Sequence, residues 1–310
     1  MPSLSEFISF VSEKSGVKSL QLIEKDVELH KILKEIYSSP IGQNYLFKGG
    51  SCLVKCYFGY YRFSVDLDFT WKDQELWDGL RKKKLRHEFL SRISDFGYIL
   101  EKACRQVSLD FKTTLEDKRF LEFGGGGRMA TFKLWKGSEL VKIQVNFIEN
   151  ILFESKEITA KTLVNIDSLR EDERAYFEEF LNFYRPLPVK AYDGREILCE
   201  KIRAILTRKV QKLRDFYDLF VLQKHGFKPD GLENEIFEKI KTSLYYKKYR
   251  DALEKNKDRL EISRGILEDP FERNLFVEKP GKEFEDFMDT FTGTLKKIAS
   301  GCSLLEKDIV

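Results

Sequence analysis

The stretch that decides the fold is FKGGSCLVKCYFGYYRFSVDLDF, residues 47–69. In its second half polar and apolar residues alternate, so Ser64, Asp66 and Asp68 share one face of a strand while apolar side chains share the other. The apolar residues before the glycine pair predict a shorter strand that runs into a tight turn, and the residues after the turn can continue as a helix. The stretch therefore predicts a strand, a turn and a helix, followed by a half-buried strand with an acidic face.

The acidic strand face has the spacing of a metal site. Asp66 and Asp68 project from the same face about 7 Å apart along the strand, near enough to bind one Mg²⁺ or to bracket two ions. Two carboxylates this close repel each other, and a divalent cation removes that cost. The turn formed by Gly49, Gly50 and Ser51 offers backbone N–H groups and a hydroxyl to a phosphate. The alternative is a solvated strand face, although aspartate is disfavoured in strands and here recurs beside a Gly-Gly-Ser turn.

Composition indicates a protein with a large core and little net charge. The 310 residues are 42% hydrophobic, and 54 basic residues nearly balance 51 acidic ones, so a nucleic-acid surface requires local clustering of charge. No run of about 18 apolar residues occurs, and the five cysteines are scattered without a C-x-x-C pair. We therefore expect a soluble, cytoplasmic protein with reduced cysteines and neither a disulfide framework nor a zinc site.

Standard catalytic signatures do not fit the sequence. GGSCL lacks the spacing of a P-loop and the closing glycine of a nucleophile elbow, and the glycine run at residues 124–127 does not continue as a dinucleotide fingerprint. His87 and Glu88 are not followed by a second histidine at the spacing of a zinc protease, and the chain has only three histidines. The Asp-x-Asp strand is therefore the best remaining candidate for a site.

Periodicity elsewhere predicts a mixed sheet with helices around it. Residues 19–40 predict an amphipathic helix, and residues 73–98 predict a second one. Residues 128–148 contain two alternating segments joined at Lys136, Gly137 and Ser138, which is typical of a β-hairpin. A hairpin in an α/β arrangement makes the sheet mixed rather than purely parallel.

The periodicity becomes helical after roughly residue 165. Pro186 and Pro188 lie between the two kinds of pattern, and prolines often stand where one domain gives way to the next. The sequence therefore predicts an α/β (α+β) domain at residues 1–185 and a helical C-terminal domain at residues 186–310.

Three segments resemble motifs of a known family. FKGGSCLVK followed by RFSVDLDF resembles the first motif of the nucleotidyltransferase superfamily, in the form found in the AbiEii-type nucleotidyltransferase toxins of prokaryotic toxin–antitoxin systems. IEKDVELHKIL, residues 23–33, resembles the leading helix of that family, and residues 195–222 resemble its Glu-Lys and Arg-Asp-x-x-Asp-Leu helical motifs. The resemblance implies a nucleotidyltransferase-like mixed-sheet core followed by a helical domain.

The resemblance also assigns roles to individual residues. It implies that Asp66 and Asp68 hold Mg²⁺, that Lys201 neutralises charge on the triphosphate, and that Asp215 is an essential aspartate of the helical half. Asp218 lies one helical turn after Asp215 and shares its face. The residues expected to bind the nucleotide are Gly49, Gly50, Ser51, Arg62, Ser64 and Asp218.

The function implied by the resemblance is Mg²⁺-dependent transfer of a nucleotide from an NTP to an RNA acceptor, the tRNA 3′ end, by a toxin that a separate antitoxin counters. Two alternatives stay open: nucleotidylation of a protein or of the enzyme itself at Ser64, and a non-catalytic NTP-binding module. The second is favoured by Gln144, which stands where many nucleotidyltransferases place a third carboxylate, because an amide cannot act as a general base. Asp215 is the residue expected to supply the missing acid.

Clusters of basic residues are the candidates for RNA contacts. They are RKKKLR at residues 81–86, the group Arg208, Lys209, Lys212 and Arg214, and YYKKYR at residues 245–250, whose tyrosines offer stacking faces. The alternative for each cluster is an ordinary solvated surface.

Overall fold

The acidic strand is the central strand of a seven-stranded mixed sheet in a computed structural model, which describes residues 2–259 and 264–302. The strands are β1 (Tyr45–Lys48), β2 (Asp66–Trp71), β3 (Leu121–Gly124), β4 (Met129–Lys136), β5 (Glu139–Asn146), β6 (Lys156–Ala160) and β7 (Leu187–Ala191). Their order across the sheet is β3-β4-β5-β2-β1-β7-β6. Strand β2 runs antiparallel to β1 and parallel to β5, and β7 runs parallel to β1. The predicted fold class, α/β with a mixed sheet, is confirmed.

Contacts between Cα atoms divide the chain into two units. The first unit contains the residues up to Glu149 together with Ser155–Tyr192, and the second contains Asn150–Glu154 together with the residues from Asp193 onward. The helices of the first unit are α1 (Leu4–Ser15), α2 (Leu20–Tyr37), α3 (Gly49–Cys52), α4 (Lys82–Gln106), α5 (Glu171–Tyr176) and α6 (Glu178–Leu181). Those of the second are α7 (Gly194–Thr207), α8 (Leu213–Lys224), α9 (Glu233–Leu244), α10 (Lys247–Arg259), α11 (Arg264–Leu267), α12 (Pro270–Arg273) and α13 (Lys282–Cys302).

Helices α2 and α4 cover the apolar face of the sheet. The Phe69 ring on β2 lies 5.7 Å from that of Phe96 on α4 and 6.4 Å from that of Tyr37 on α2, measured between ring centroids. Phe69 is fully buried, whereas Asp66 and Asp68 on the opposite strand face are only half-buried. The predicted alternation thus buries one strand face in the core and leaves both carboxylates near solvent.

The second predicted helix begins later than the sequence pattern indicated. The prediction was residues 73–98, whereas α4 spans Lys82–Gln106. A short 3₁₀ turn at Glu75–Trp77 precedes it, and Gly79 has a φ of 68°. This left-handed conformation interrupts the helical series of backbone hydrogen bonds. The hairpin is confirmed: β4 and β5 pair up to Lys136 opposite Glu139, and Gly137 adopts a φ of 59° in the turn.

The C-terminal half is helical, as predicted. The first unit extends to Tyr192 because β7 pairs with both β1 and β6. Residues Asn150–Glu154 belong to the second unit, where the Glu196 carboxylate accepts hydrogen bonds from the backbone N–H groups of Leu152 and Phe153, each at 2.9 Å. The domain boundaries at 185 and 186 stay a prediction.

The cysteines behave as small apolar side chains. All five are free and buried. Burial raises the pKa of the Cys104 and Cys199 thiols to about 12, so both stay protonated and unreactive at neutral pH. Across the described ranges, no helix combines the length and the apolar character needed to cross a membrane.

Candidate active site

The Gly-Gly-Ser turn packs directly against the acidic strand. Strand β1 ends at Lys48, which pairs with Asp68 across the antiparallel ladder, and the turn begins at Gly49 with a φ of 74°. A Cβ on Gly49 would lie 2.5 Å from Asp68 Oδ2. The Ser51 hydroxyl donates a hydrogen bond to the backbone carbonyl of Asp66. Glycine is therefore required at position 49 both for its backbone conformation and for the close approach of the carboxylate.

Arg62 lies behind the turn rather than on the surface. Its side chain is 1% exposed, and its Nη1 donates to the carbonyl of Phe63 at 2.7 Å. A Cβ on Gly50 would collide with the Arg62 guanidinium. The turn thus has the Asp68 carboxylate against its first glycine and a buried positive charge against its second. Ser64 precedes β2 and is half-buried.

Gln144 occupies the position predicted for a third acid. Strand β5 runs parallel to β2 with Gln144 beside Asp68 and Lys142 beside Asp66. The Gln144 amide Nε2 donates to Thr131 Oγ1 at 3.2 Å. Its amide oxygen is an acceptor on the same strand face, but an amide cannot take up a proton as a carboxylate can.

A carboxylate that the sequence reasoning missed lies in the same unit. The Glu149 carboxylate accepts hydrogen bonds from Lys48 Nζ and from Asn146 Nδ2, both at 2.7 Å. Lys48 pairs with Asp68 between β1 and β2, and Asn146 pairs with Thr70 between β5 and β2. The Glu149 carboxylate, which contacts both side chains, therefore lies beside the acidic strand. The available signal was that Lys48 immediately precedes the glycine pair, and that Glu149 is the first acid after β5.

The acidic strand suits Mg²⁺ by the chemistry of its donors. Carboxylate and amide oxygens are hard ligands, and Mg²⁺ is commonly held by one or two carboxylates together with water and substrate phosphates. In the part of the chain that the structure describes, no group of three or more His, Cys, Asp or Glu side chains is arranged to hold a metal. The fit therefore rests on Asp66 and Asp68, with the remaining ligands left to water or to a phosphate.

Lys201 lies in a charged cluster of the second unit. Its ammonium is 2.6 Å from Asp215 Oδ1 and 2.6 Å from Asp218 Oδ2, and Arg208 Nη1 is 2.6 Å from Asp215 Oδ2. Helix α7 carries Lys201, while α8 carries the two aspartates one turn apart, so both point to the same side. We name these four residues the Lys201 cluster.

Asp215 of the Lys201 cluster stays ionised at neutral pH. Burial raises the pKa of Asp215, but the Lys201 ammonium and the Arg208 guanidinium outweigh this effect and hold the pKa well below its usual range. The cluster thus brings together three of the predicted site residues. Their roles in binding or catalysis stay predictions.

A buried, ion-paired lysine that the sequence did not single out follows the turn in the first unit. Lys55 lies one turn after Ser51, and its Nζ donates to Asp26 Oδ1 at 2.6 Å and to the Tyr60 hydroxyl at 2.9 Å. The hydroxyls of Tyr60 and Tyr184 donate to Asp26 Oδ2 at 2.9 and 2.6 Å. Burial and the Asp26 charge raise the pKa of both tyrosines, which keeps them neutral donors. We name Asp26, Lys55, Tyr60 and Tyr184 the tyrosine network; it ties the helical stretch after the turn to α2.

Comparison with known proteins supplies the family. No curated protein matches the chain. A family profile described as "Nucleotidyl transferase AbiEii toxin, Type IV TA system" matches residues 31–301, which include the turn, the acidic strand and the Lys201 cluster. The match covers most of the chain and includes two of the three sequence motifs, while the leading-helix motif at residues 23–33 lies mostly before it. The chain therefore belongs to the AbiEii family of nucleotidyltransferase toxins, of type IV toxin–antitoxin systems.

Proposed function

We propose that this protein transfers a nucleotide from an NTP to the 3′ end of an RNA, with tRNA as the acceptor, and that it acts in the cytoplasm as a toxin countered by an antitoxin. The observation that carries the proposal is the direct packing of the Gly-Gly-Ser turn on Asp66 and Asp68. This packing brings phosphate-binding groups and metal-binding groups into one small region.

The proposed chemistry is in-line displacement at the α-phosphorus. The oxygen of the acceptor hydroxyl forms a bond to phosphorus, the bond to the bridging oxygen breaks, pyrophosphate leaves, and the hydroxyl proton passes to water. Backbone N–H groups of Gly50 and Ser51 hold phosphate oxygens, and the buried Arg62 adds positive charge behind them. Mg²⁺, when held by Asp66 and Asp68, supplies charge neutralisation. Catalysis is then mostly positioning and electrostatic stabilisation.

Lys201 is assigned the second positive charge for the triphosphate, and Asp215 and Asp218 are assigned the positioning of its ammonium. The two short ion pairs of Lys201 support this assignment, because they fix the ammonium while leaving it partly exposed, at 12% of its side chain. One donor that stabilises developing charge typically contributes about 100-fold or more to a rate.

A non-catalytic NTP-binding module is the second candidate, and Gln144 beside Asp68 is the observation that favours it. Without a carboxylate at this position, the strand face offers only two acids to a metal. This candidate predicts tight binding of NTP with Mg²⁺ but no release of pyrophosphate with any acceptor.

The test is transfer from labelled NTPs, with and without total RNA, by the wild type, Asp66→Asn and Asp78→Asn. Asp78 is an exposed aspartate of the same unit and serves as the matched control. We expect label on RNA with the wild type and the control, and a loss of about 100-fold or more with Asp66→Asn. Label on protein alone would support nucleotidylation of a protein, and NTP binding without pyrophosphate would support the binding module. Full transfer by Asp66→Asn would refute the proposed mechanism.

A further inference from the structure

The basic loop at residues 208–212 is anchored at its first residue. It connects α7 to α8 in the second unit, and Arg208 and Lys209 are exposed. The buried side chain of Asn256 on α10 donates hydrogen bonds to the carbonyls of Leu206 and Arg208, both at 2.9 Å. These contacts fix the end of α7 and the first residue of the loop, so this part of the segment loses little conformational entropy when it binds a ligand.

The charges of the loop are only partly balanced. Arg208 pairs with Asp215 at 2.6 Å, and Arg214, just after the loop, pairs with Glu272 at 3.4 Å. Lys209 and Lys212, in contrast, form no ion pair with any carboxylate of the described residues. The loop thus carries two positive charges without anionic partners, next to two arginines.

Lys212 is the more unfavourable of these two charges. Its side chain is half-buried, and burial together with the neighbouring Arg214 and Arg208 charges lowers its pKa. It also stands at the N-cap of α8, where the helix dipole disfavours a cation. An anion at this point removes both penalties.

The shape of the loop favours a polyanion over a small molecule. Lys209 is exposed, and the adjacent Val210 keeps 70% of its surface in solvent. Small-molecule sites are concave and enclose their ligand, whereas a phosphate backbone binds along exposed positive charge. An exposed valine between two lysines can also contact a ribose or a base.

We infer that the 208–212 loop binds the phosphate backbone of the RNA acceptor, with Lys209 and Lys212 as the principal contacts. The inference rests on the proposed function, in which the acceptor is RNA. It assigns the substrate-binding surface to a segment that lies between Lys201 and Asp215 in the chain.

The test is binding of a fluorescently labelled tRNA, without NTP, to the full chain and to Lys209→Ala/Lys212→Ala. The matched control is Lys296→Ala/Lys297→Ala, which removes two exposed lysines of α13 in the same unit. We expect about tenfold weaker binding by the loop variant near 0.1 M salt, and a plot of log K against log[salt] that is shallower by about 1.4, the value for two contacts to a single strand. The control should bind as the wild type does, and neither variant should have a lower unfolding midpoint than the wild type.

Two results would overturn the inference alone. One is a loop variant that binds tRNA with wild-type affinity and salt dependence. The other is a variant whose KM for NTP rises while its RNA affinity stays unchanged, which would assign the loop to the phosphates of the nucleotide. If the wild type itself binds no tRNA, the RNA acceptor of the proposed function fails too, so the two failures are distinguishable.

Discussion

Lys55 and Lys201 have similar contacts but different surroundings. Lys55 in the tyrosine network and Lys201 in its cluster each lie 2.6 Å from an aspartate oxygen. The side chain of Lys55 is 2% exposed and contacts Asp26 and the Tyr60 hydroxyl, while the Tyr184 hydroxyl donates to the same aspartate. That of Lys201 is 12% exposed, and Arg208, which shares Asp215 with it, is 43% exposed.

The difference separates a structural ion pair from one available to a ligand. A closed pair can only be broken, because a 2% exposed ammonium and its buried aspartate have no access to a ligand from solvent. The Lys201 cluster reaches the surface next to further cations, so an anionic ligand can replace some of its ion pairs. We therefore expect changes in the tyrosine network to reduce stability and changes in the Lys201 cluster to reduce activity.

The largest effect is expected for Asp26→Asn. An amide at this position leaves the Lys55 ammonium buried without a counter-charge, and breaking a buried pair in this way typically costs about 3–5 kcal/mol. Urea unfolding followed by tryptophan fluorescence measures the loss in the first unit, which contains all three tryptophans, Trp71, Trp77 and Trp135.

The control for Asp26→Asn is Glu35→Gln on the same helix. Glu35 pairs with Lys102 at 3.1 Å, but the Lys102 side chain is 72% exposed, so the cost should stay below about 1 kcal/mol. Equal losses for the two variants would show that burial does not distinguish the tyrosine network from a surface pair.

The second effect concerns activity rather than stability. Lys201→Met removes the ammonium proposed to contact the triphosphate, and we expect nucleotide transfer to fall by about 100-fold. Asp215 keeps its pair with Arg208 in this variant, but the fully buried Asp218 loses its ion pair with Lys201. Transfer is therefore compared below the unfolding midpoint of the variant, which circular dichroism measures.

Lys224→Met is the matched control, because Lys224 forms an exposed pair with Glu283 on the same unit. It should retain wild-type transfer. A Lys201→Met variant that transfers normally but unfolds as easily as Asp26→Asn would reverse the comparison and make the Lys201 cluster structural.

The sequence was sufficient where local periodicity decides the structure. The alternation in β2 predicted which side chains face solvent, and residues 19–40 predicted α2, because both depend on neighbours a few positions apart. Asp215 and Asp218 were predicted to share a helix face, and the structure places both on Lys201. A periodicity of this kind needs no knowledge of the tertiary fold.

The sequence was insufficient where distant segments meet. Tyr184 reaches Asp26 across 158 positions of the chain, and Lys48 reaches Glu149 across 101. Both pairs depend on the tertiary arrangement of distant segments, which no local pattern encodes. The late start of α4 was missed for a different reason, because the helical periodicity before it continues through Gly79, where the backbone turns to a positive φ.

The smallest expected effect concerns how the stability of the first unit changes with pH. His30 is fully buried against Tyr184, and its Nε2 donates to the Arg185 carbonyl at 2.8 Å. Burial, together with the Lys55 charge, lowers the pKa of His30 to about 3, whereas an unfolded histidine titrates near pH 6.5. As the pH falls below about 6.5, only the unfolded state takes up a proton, so stability falls steadily towards pH 3.

Between pH 7 and pH 5 this effect should cost about 2 kcal/mol in the wild type. His30→Gln keeps a donor for the Arg185 carbonyl and should lose this dependence of stability on pH. Other groups, such as Glu28, whose pKa burial raises, contribute equally to both proteins, so their contributions cancel in the difference. Asp215 contributes nothing in this window, because its lowered pKa leaves it ionised in both states until the pH drops below about 4. Equal slopes for the wild type and His30→Gln would mean that His30 takes up a proton as readily in the folded state as in the unfolded state. Burial would then not protect this part of the first unit, and exposure would not explain the contrast between the tyrosine network and the Lys201 cluster.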